Sequence, residues 1–264
     1  MSRAPAVSLP EYSLFSVAVA DHRFWIALGI AVLAGIVRGF SGFGSAQIYV
    51  PLIASIYSPR SAAVTLLLID TFGTAPFAAR AFTRCTWREV IPMSIAAAIS
   101  VPLGALALRL IDPVVLRWFI AILVLTLVCV LMSGWRYHGR PRMPITIGVG
   151  LFSGFSAGAV QIAGPPVLIY WLGTTKAAQI VRANFLVFFI FLNAFAIAVY
   201  FWQGFFTPEL LAMALLLAIP FFLATTVGAK VFHGSSEAIY RRVAYAIITS
   251  AAVVSLPVFD HWLR

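Results

Sequence analysis

Apolar residues run almost unbroken along most of this chain. No charged residue falls between Met143 and Thr175, between Ala183 and Pro208, between Val90 and Leu108, or between Leu210 and Ala229. A helix needs about 20 such residues to cross the hydrocarbon core of a bilayer. Several runs qualify, and hydrophobic segments are predicted at about 24–57, 61–80, 89–108, 113–135, 144–172, 178–203, 209–230 and 238–257. The connections between them are short and leave no room for a soluble domain.

Composition strengthens that picture. The 264 residues are 62% hydrophobic and 10% charged, against about 25% charged in soluble domains. The chain therefore reads as a polytopic membrane protein. Its net charge of +10 fits arginines in cytoplasmic loops better than nucleic-acid binding, for which no motif is present. Cys85 and Cys129 make neither a disulfide framework nor a zinc site. Residues 1–22 read as a short retained tail without the features of a cleaved signal peptide.

The first and fifth segments stand apart. Each is about 30 residues long, or ~45 Å as one helix, well beyond a ~30 Å hydrocarbon core. Each is also interrupted by glycine and serine. The first interruption contains Arg38, Gly39, Phe40, Ser41, Gly42, Phe43, Gly44, Ser45, Ala46 and Gln47, with Pro51 beyond. The second contains Phe152, Ser153, Gly154, Phe155, Ser156, Ala157, Gly158 and Gln161, then Gly164, Pro165 and Pro166. Phe-Ser-Gly-Phe is common to both, which sets Gly150 opposite Arg38. Farther on, Gly104-Ala105 and Arg117 parallel Gly228-Ala229 and Arg241. These matches predict two repeats, residues 23–142 and 143–264.

Charge tests the topology. The loops at Arg80, Arg84 and Arg88 and at Arg136, Arg140 and Arg142 can both be cytoplasmic. Lys230, Arg241 and Arg242 join them only if the fifth segment dips into the membrane and returns. Each repeat then holds a re-entrant broken-helix hairpin plus three transmembrane helices, and the repeats are inverted, an architecture of transporters. Eight simple crossings are the alternative.

A helix restarting inside the membrane exposes free N–H groups and the positive end of its dipole, which together hold anions. Ser41, Gly42, Phe43, Gly44, Gln47, Ser153, Gly154, Phe155, Ser156, Gly158 and Gln161 are thus the candidate substrate-binding residues, with Arg38 offering a guanidinium to an oxyanion. The competing readings are glycines that serve helix packing and an Arg38 that snorkels to an interface. Asp70 can pair with Arg38 or carry a coupling proton, and Asn184 and Asn193 extend a polar network. The tryptophans Trp25, Trp87, Trp118, Trp135, Trp171 and Trp202 fit an interfacial belt. There is no catalytic constellation, metal-ligand cluster or cofactor motif.

The Arg38–Gly44 break with Pro51, its repeat at Phe152–Pro166, and the Gly104 and Arg117 pattern resemble the TauE/SafE sulfite exporter family, also described as the toluene-sulfonate uptake permease family. The resemblance runs from about Trp25 to Leu256. It implies secondary transport of sulfite, sulfonates or sulfoacetate-like oxyanions across the bacterial cytoplasmic membrane. The sequence departs from a glycine-richer family pattern at Ser45, Ala46, Ser156 and Ala157. The expected protein is an all-α secondary transporter with a midplane anion site. Its partners would be a small anion, the bilayer and protons or another coupling ion, and an oligomer is compatible. An anion channel and an accessory protein without transport are the alternatives.

Overall fold

The structure is a computed structural model that describes residues 21–41, 44–74, 78–134, 142–174, 176–231 and 237–259. Regular structure among the described residues is helical. The helices are α1 (His22–Ser41), α2 (Ser45–Ile56), α3 (Pro59–Thr74), α4 (Ala78–Arg84), α5 (Trp87–Leu110), α6 (Pro113–Met132), α7 (Met143–Val160), α8 (Gly164–Leu172), α9 (Ala178–Trp202), α10 (Pro208–Val231) and α11 (Glu237–Val254), closed by a 3-10 turn at Pro257–Phe259. Six of them, α1, α5, α6, α7, α9 and α10, are long and apolar enough to cross a membrane. Of the second sequence segment, α3 and α4 are described, and residues 75–77 between them lie outside the described set.

Both over-long segments fold back on themselves. The hydroxyl of Tyr57, just past α2, donates to Asp21 at the start of α1 over 3.4 Å. Thr146, in the first turn of α7, shares a hydrogen bond with Tyr170 near the end of α8. With 12 and 9 residues, α2 and α8 reach only about 18 and 14 Å, too short to cross a ~30 Å core.

Contacts between helix ends sort the connections into two sets. In one set, Arg60 donates to Gly204 O at 2.6 Å, Arg109 to Gln203 Oε1 at 2.9 Å, and Arg117 to Ser255 O at 2.9 Å. In the other, Lys176 donates to Glu89 Oε1 at 2.6 Å, Trp171 to Glu89 Oε2 at 3.2 Å, and the Thr86 N–H to Asn184 Oδ1 at 2.6 Å. The α1/α2 hairpin opens toward the first set through Asp21 and Tyr57. The α7/α8 hairpin opens toward the second through Trp171 and Lys176. Trp171 is fully buried, so it belongs to this end network and not to an interfacial belt; Trp25, Trp87, Trp118 and Trp202 are exposed.

The closest packing is of α7 on α5 and of α1 on α10. Small residues at helical spacing let these backbones meet, as is common in membranes. A Cβ on Gly154 or Gly158 would come under 3.0 Å from the carbonyl oxygens of Ala97 and Val101. One on Gly35 or Gly39 would do the same at Phe221 and Thr225. Large apolar side chains such as Ile95, Ile99, Leu103, Ile219 and Leu223 cover the outside of the same helices, as contact with lipid tails requires.

This packing corrects two expectations. The second break does not lie at Ser153–Gly158. Helix α7 runs unbroken to Val160, because Gly150, Gly154 and Gly158 form a contact stripe on α5. The chain leaves the helix at Gln161, which has the left-handed φ of 58°. The match between the halves also shifts. Gly35 and Gly39 correspond in their packing to Gly154 and Gly158, and the helices end at Ser41 and Val160 and restart at Ser45 and Gly164. Ala157, and not Gly150, therefore stands opposite Arg38.

Candidate functional site

The first tip is built where α1 ends and α2 begins. Gly44 takes φ 95°, a left-handed backbone that glycine adopts without steric penalty, and so turns the chain into α2. The N-cap residue of α2 is Gly44, which has no side chain to cap the first amides of the helix. Gly42 and Phe43 lie outside the described residues, as does the side chain of Ser41.

Arg38, one turn before the end of α1, forms an ion pair with Asp70 of α3 and donates to Ser45 Oγ at 3.2 Å. Its guanidinium also lies 5.9 Å from the centroid of the Phe221 ring in the middle of α10. Asp70 stands about 16 Å along α3 from Pro59, at 1.5 Å per residue. The pair therefore sits deep in the bundle, about one turn before the inner ends of α1 and α3 and away from both sets of helix-end contacts. Both side chains keep partial access, 21% for Arg38 and 17% for Asp70.

Gln47, in the first turn of α2, is 1% exposed, and neither of its amide atoms has a hydrogen-bond partner. Its Oε1 lies beside Gly44, 3.5 Å from where a Cβ on that glycine would stand. A buried amide without partners costs free energy. Such a group in a native protein points to a ligand or water that completes it.

The second tip has a different chemistry. Gln161 donates over 3.5 Å to the hydroxyl of Tyr200, which itself donates to the carbonyl oxygens of Ala157 and Gly158 at 3.2 and 2.9 Å. Tyr200 caps the end of α7; placed near the end of an apolar run, it carries no local sequence signal for this role. Helix α8 opens Gly164-Pro165-Pro166. Proline has no N–H, so two of the donors that a helix start normally offers are missing. Phe185 and Phe189 lie 3.7 and 3.9 Å from where a Cβ on Gly164 would be. This end is apolar and donor-poor.

The structure thus gathers Arg38, Gly44, Ser45, Gln47 and Asp70 at one tip and Gln161 with Tyr200 at the other. Ser153, Gly154, Phe155, Ser156 and Gly158 lie within α7. Ser153 and Ser156 are fully buried with no partner for their hydroxyls, and Phe155 packs edge-on against Phe119. Asn184 accepts from Thr86 at the helix ends. Asn193 is buried midway along α9, its Nδ2 without a partner.

A chain with two folded-back hairpins among membrane-length helices, and a partly buried guanidinium at one hairpin tip, invites comparison with transporters. The family model for the sulfite exporter TauE/SafE matches residues 27–255. This chain belongs to the TauE/SafE family. It is a multi-pass membrane protein of a transporter family and not an enzyme. Comparison with curated proteins and with solved structures returned no match.

Proposed function

We propose that this TauE/SafE protein is a secondary transporter of small sulfur-containing oxyanions, in the bacterial cytoplasmic membrane, with the anion held at the first hairpin tip. The observation that carries the reading is the Arg38 guanidinium beside the glycine-initiated start of α2 and the unpartnered Gln47 amide. Guanidinium, helix-start amides and a carboxamide together are donors to an oxyanion. The second tip contributes contact surface and Gln161, with few backbone donors.

The two halves, residues 23–142 and 143–264, act as inverted repeats in this reading. Its support is the exchange of packing partners between them and the opening of their hairpins toward opposite helix-end sets. The set holding Arg88, Arg142, Lys176, Lys230 and Arg242 is the more basic and is assigned to the cytoplasm. Movement of one hairpin bundle against the other would give alternating access, with Asp70 as the candidate coupling group.

Uptake of labelled sulfite and a labelled sulfonate into proteoliposomes, with and without a pH gradient, tests this. Saturable uptake that Arg38→Ala abolishes is the expected result, and gradient dependence would name protons as the driver. Uptake that never exceeds equilibrium, whatever the gradient, would favour an anion channel. Well-folded protein that moves neither anion would remove the substrate assignment.

A further inference from the structure

The charge at the first tip says more about the substrate than its presence does. Among the described side chains, the charged groups at this tip are Arg38 and Asp70, and they are paired. The guanidinium is therefore already balanced by one carboxylate before any ligand arrives. What remains for a ligand is the partial positive end of the α2 dipole, equivalent to about half a charge, together with neutral groups. Ser45 accepts from Arg38 and can donate its own hydroxyl hydrogen. Gln47 offers two N–H donors and one acceptor from a position 1% exposed.

Resting on the anion-site reading above, we infer that this tip selects singly charged oxyanions over doubly charged ones, with Asp70 as the residue that sets the preference. A single negative charge is matched by the helix start and the shared guanidinium. A second charge has no partner and faces the Asp70 carboxylate across a site that is largely shielded from water, where like charges repel far more strongly than in solution. Among the described residues, the second tip offers no cation to relieve this, and Pro165 and Pro166 take away two of its backbone donors. Every oxyanion can accept from the Gln47 NH2 group, and among singly charged ones an anion that retains an O–H, of the hydrogensulfite kind, also fills Oε1, which a sulfonate leaves empty.

The test compares downhill flux, with no pH gradient so that coupling through Asp70 is not read, of methanesulfonate, permanently singly charged, with that of sulfate, a tetrahedral anion with two charges, in proteoliposomes holding wild type or Asp70→Asn. Wild type is expected to favour methanesulfonate by about tenfold or more, and Asp70→Asn to narrow that ratio by about tenfold through a gain in sulfate transport. Wild type that carries sulfate as readily as methanesulfonate overturns the inference while leaving the anion site standing. So does an Asp70→Asn protein, monodisperse in detergent, whose ratio is unchanged. If the variant does not fold, the wild-type ratio decides alone. A wild-type protein that moves neither anion, and no sulfite, overturns the anion-site reading itself and the inference with it.

Discussion

Gly158 lies on the carbonyl of Val101 so closely that a Cβ there would stand under 3.0 Å from the oxygen, and Gly39 stands in the same relation to Thr225. These two contacts bring each broken segment against a long helix of the other half. Both neighbours are backbone, which cannot swing aside as a side chain would.

Gly158→Ala is accordingly expected to destabilise the protein by about 1–3 kcal/mol, the usual cost of overpacking. Gly148 on the same helix has open space around it. Gly148→Ala there should be neutral or stabilising by up to about 1 kcal/mol, since alanine is the better helix former. Thermal unfolding in detergent compares the two, and equal effects would mean that the α5–α7 contact is looser than described.

Gln47→Leu should separate stability from function. Removing a buried amide that has no protein partner relieves a penalty of about 1–3 kcal/mol, so the unfolding temperature without substrate should rise. Transport should fall in the same variant. A lower unfolding temperature would show that Gln47 is satisfied within the protein and is not waiting for a ligand.

Arg38 and Asp70 are predicted to be coupled in stability and uncoupled in transport. Arg38→Met strands the Asp70 carboxylate in the bundle interior, and breaking a buried pair by removing one partner costs about 3–5 kcal/mol. The partial access of both groups should bring the loss below that range. Adding Asp70→Asn should recover most of the stability, with no recovery of transport. A double variant as unstable as the single one would mean that Arg38 matters through another contact.

The sorting of helix ends predicts which positions share a side. Single cysteines replacing Arg60 and Gly204, in a background without Cys85 and Cys129, should react with an impermeant reagent from one face. Those replacing Thr86 and Lys176 should react from the other. If the α7/α8 segment crossed the membrane once, Lys176 would label with Arg60.

Much of this protein was legible in local sequence. Charge-free runs locate the spans because hydrocarbon excludes charge, and Gly44 announces the first turn because a left-handed φ favours glycine. Arg38 and Asp70 stand out as charges inside apolar runs, though their pairing depends on α1 meeting α3. The second break was also signalled, by Gly164-Pro165-Pro166 at a helix start, but the Phe-Ser-Gly-Phe match drew it to Ser153–Gly158. Glycine reads the same in a turn as in a tight helix contact, and only the neighbouring backbone tells which. Tyr200 had no local signal at all, since its partners lie on α7.

The membrane class, the all-helical build and the first tip could be read along the chain, because they follow from solvent exclusion and from backbone limits that act residue by residue, and the motifs carried the family resemblance. Tertiary structure decided where the second hairpin turns, which glycines are packing surface, and that the two tips differ in donors. Those outcomes depend on how closely two backbones from distant parts of the chain approach, and no local pattern records that distance.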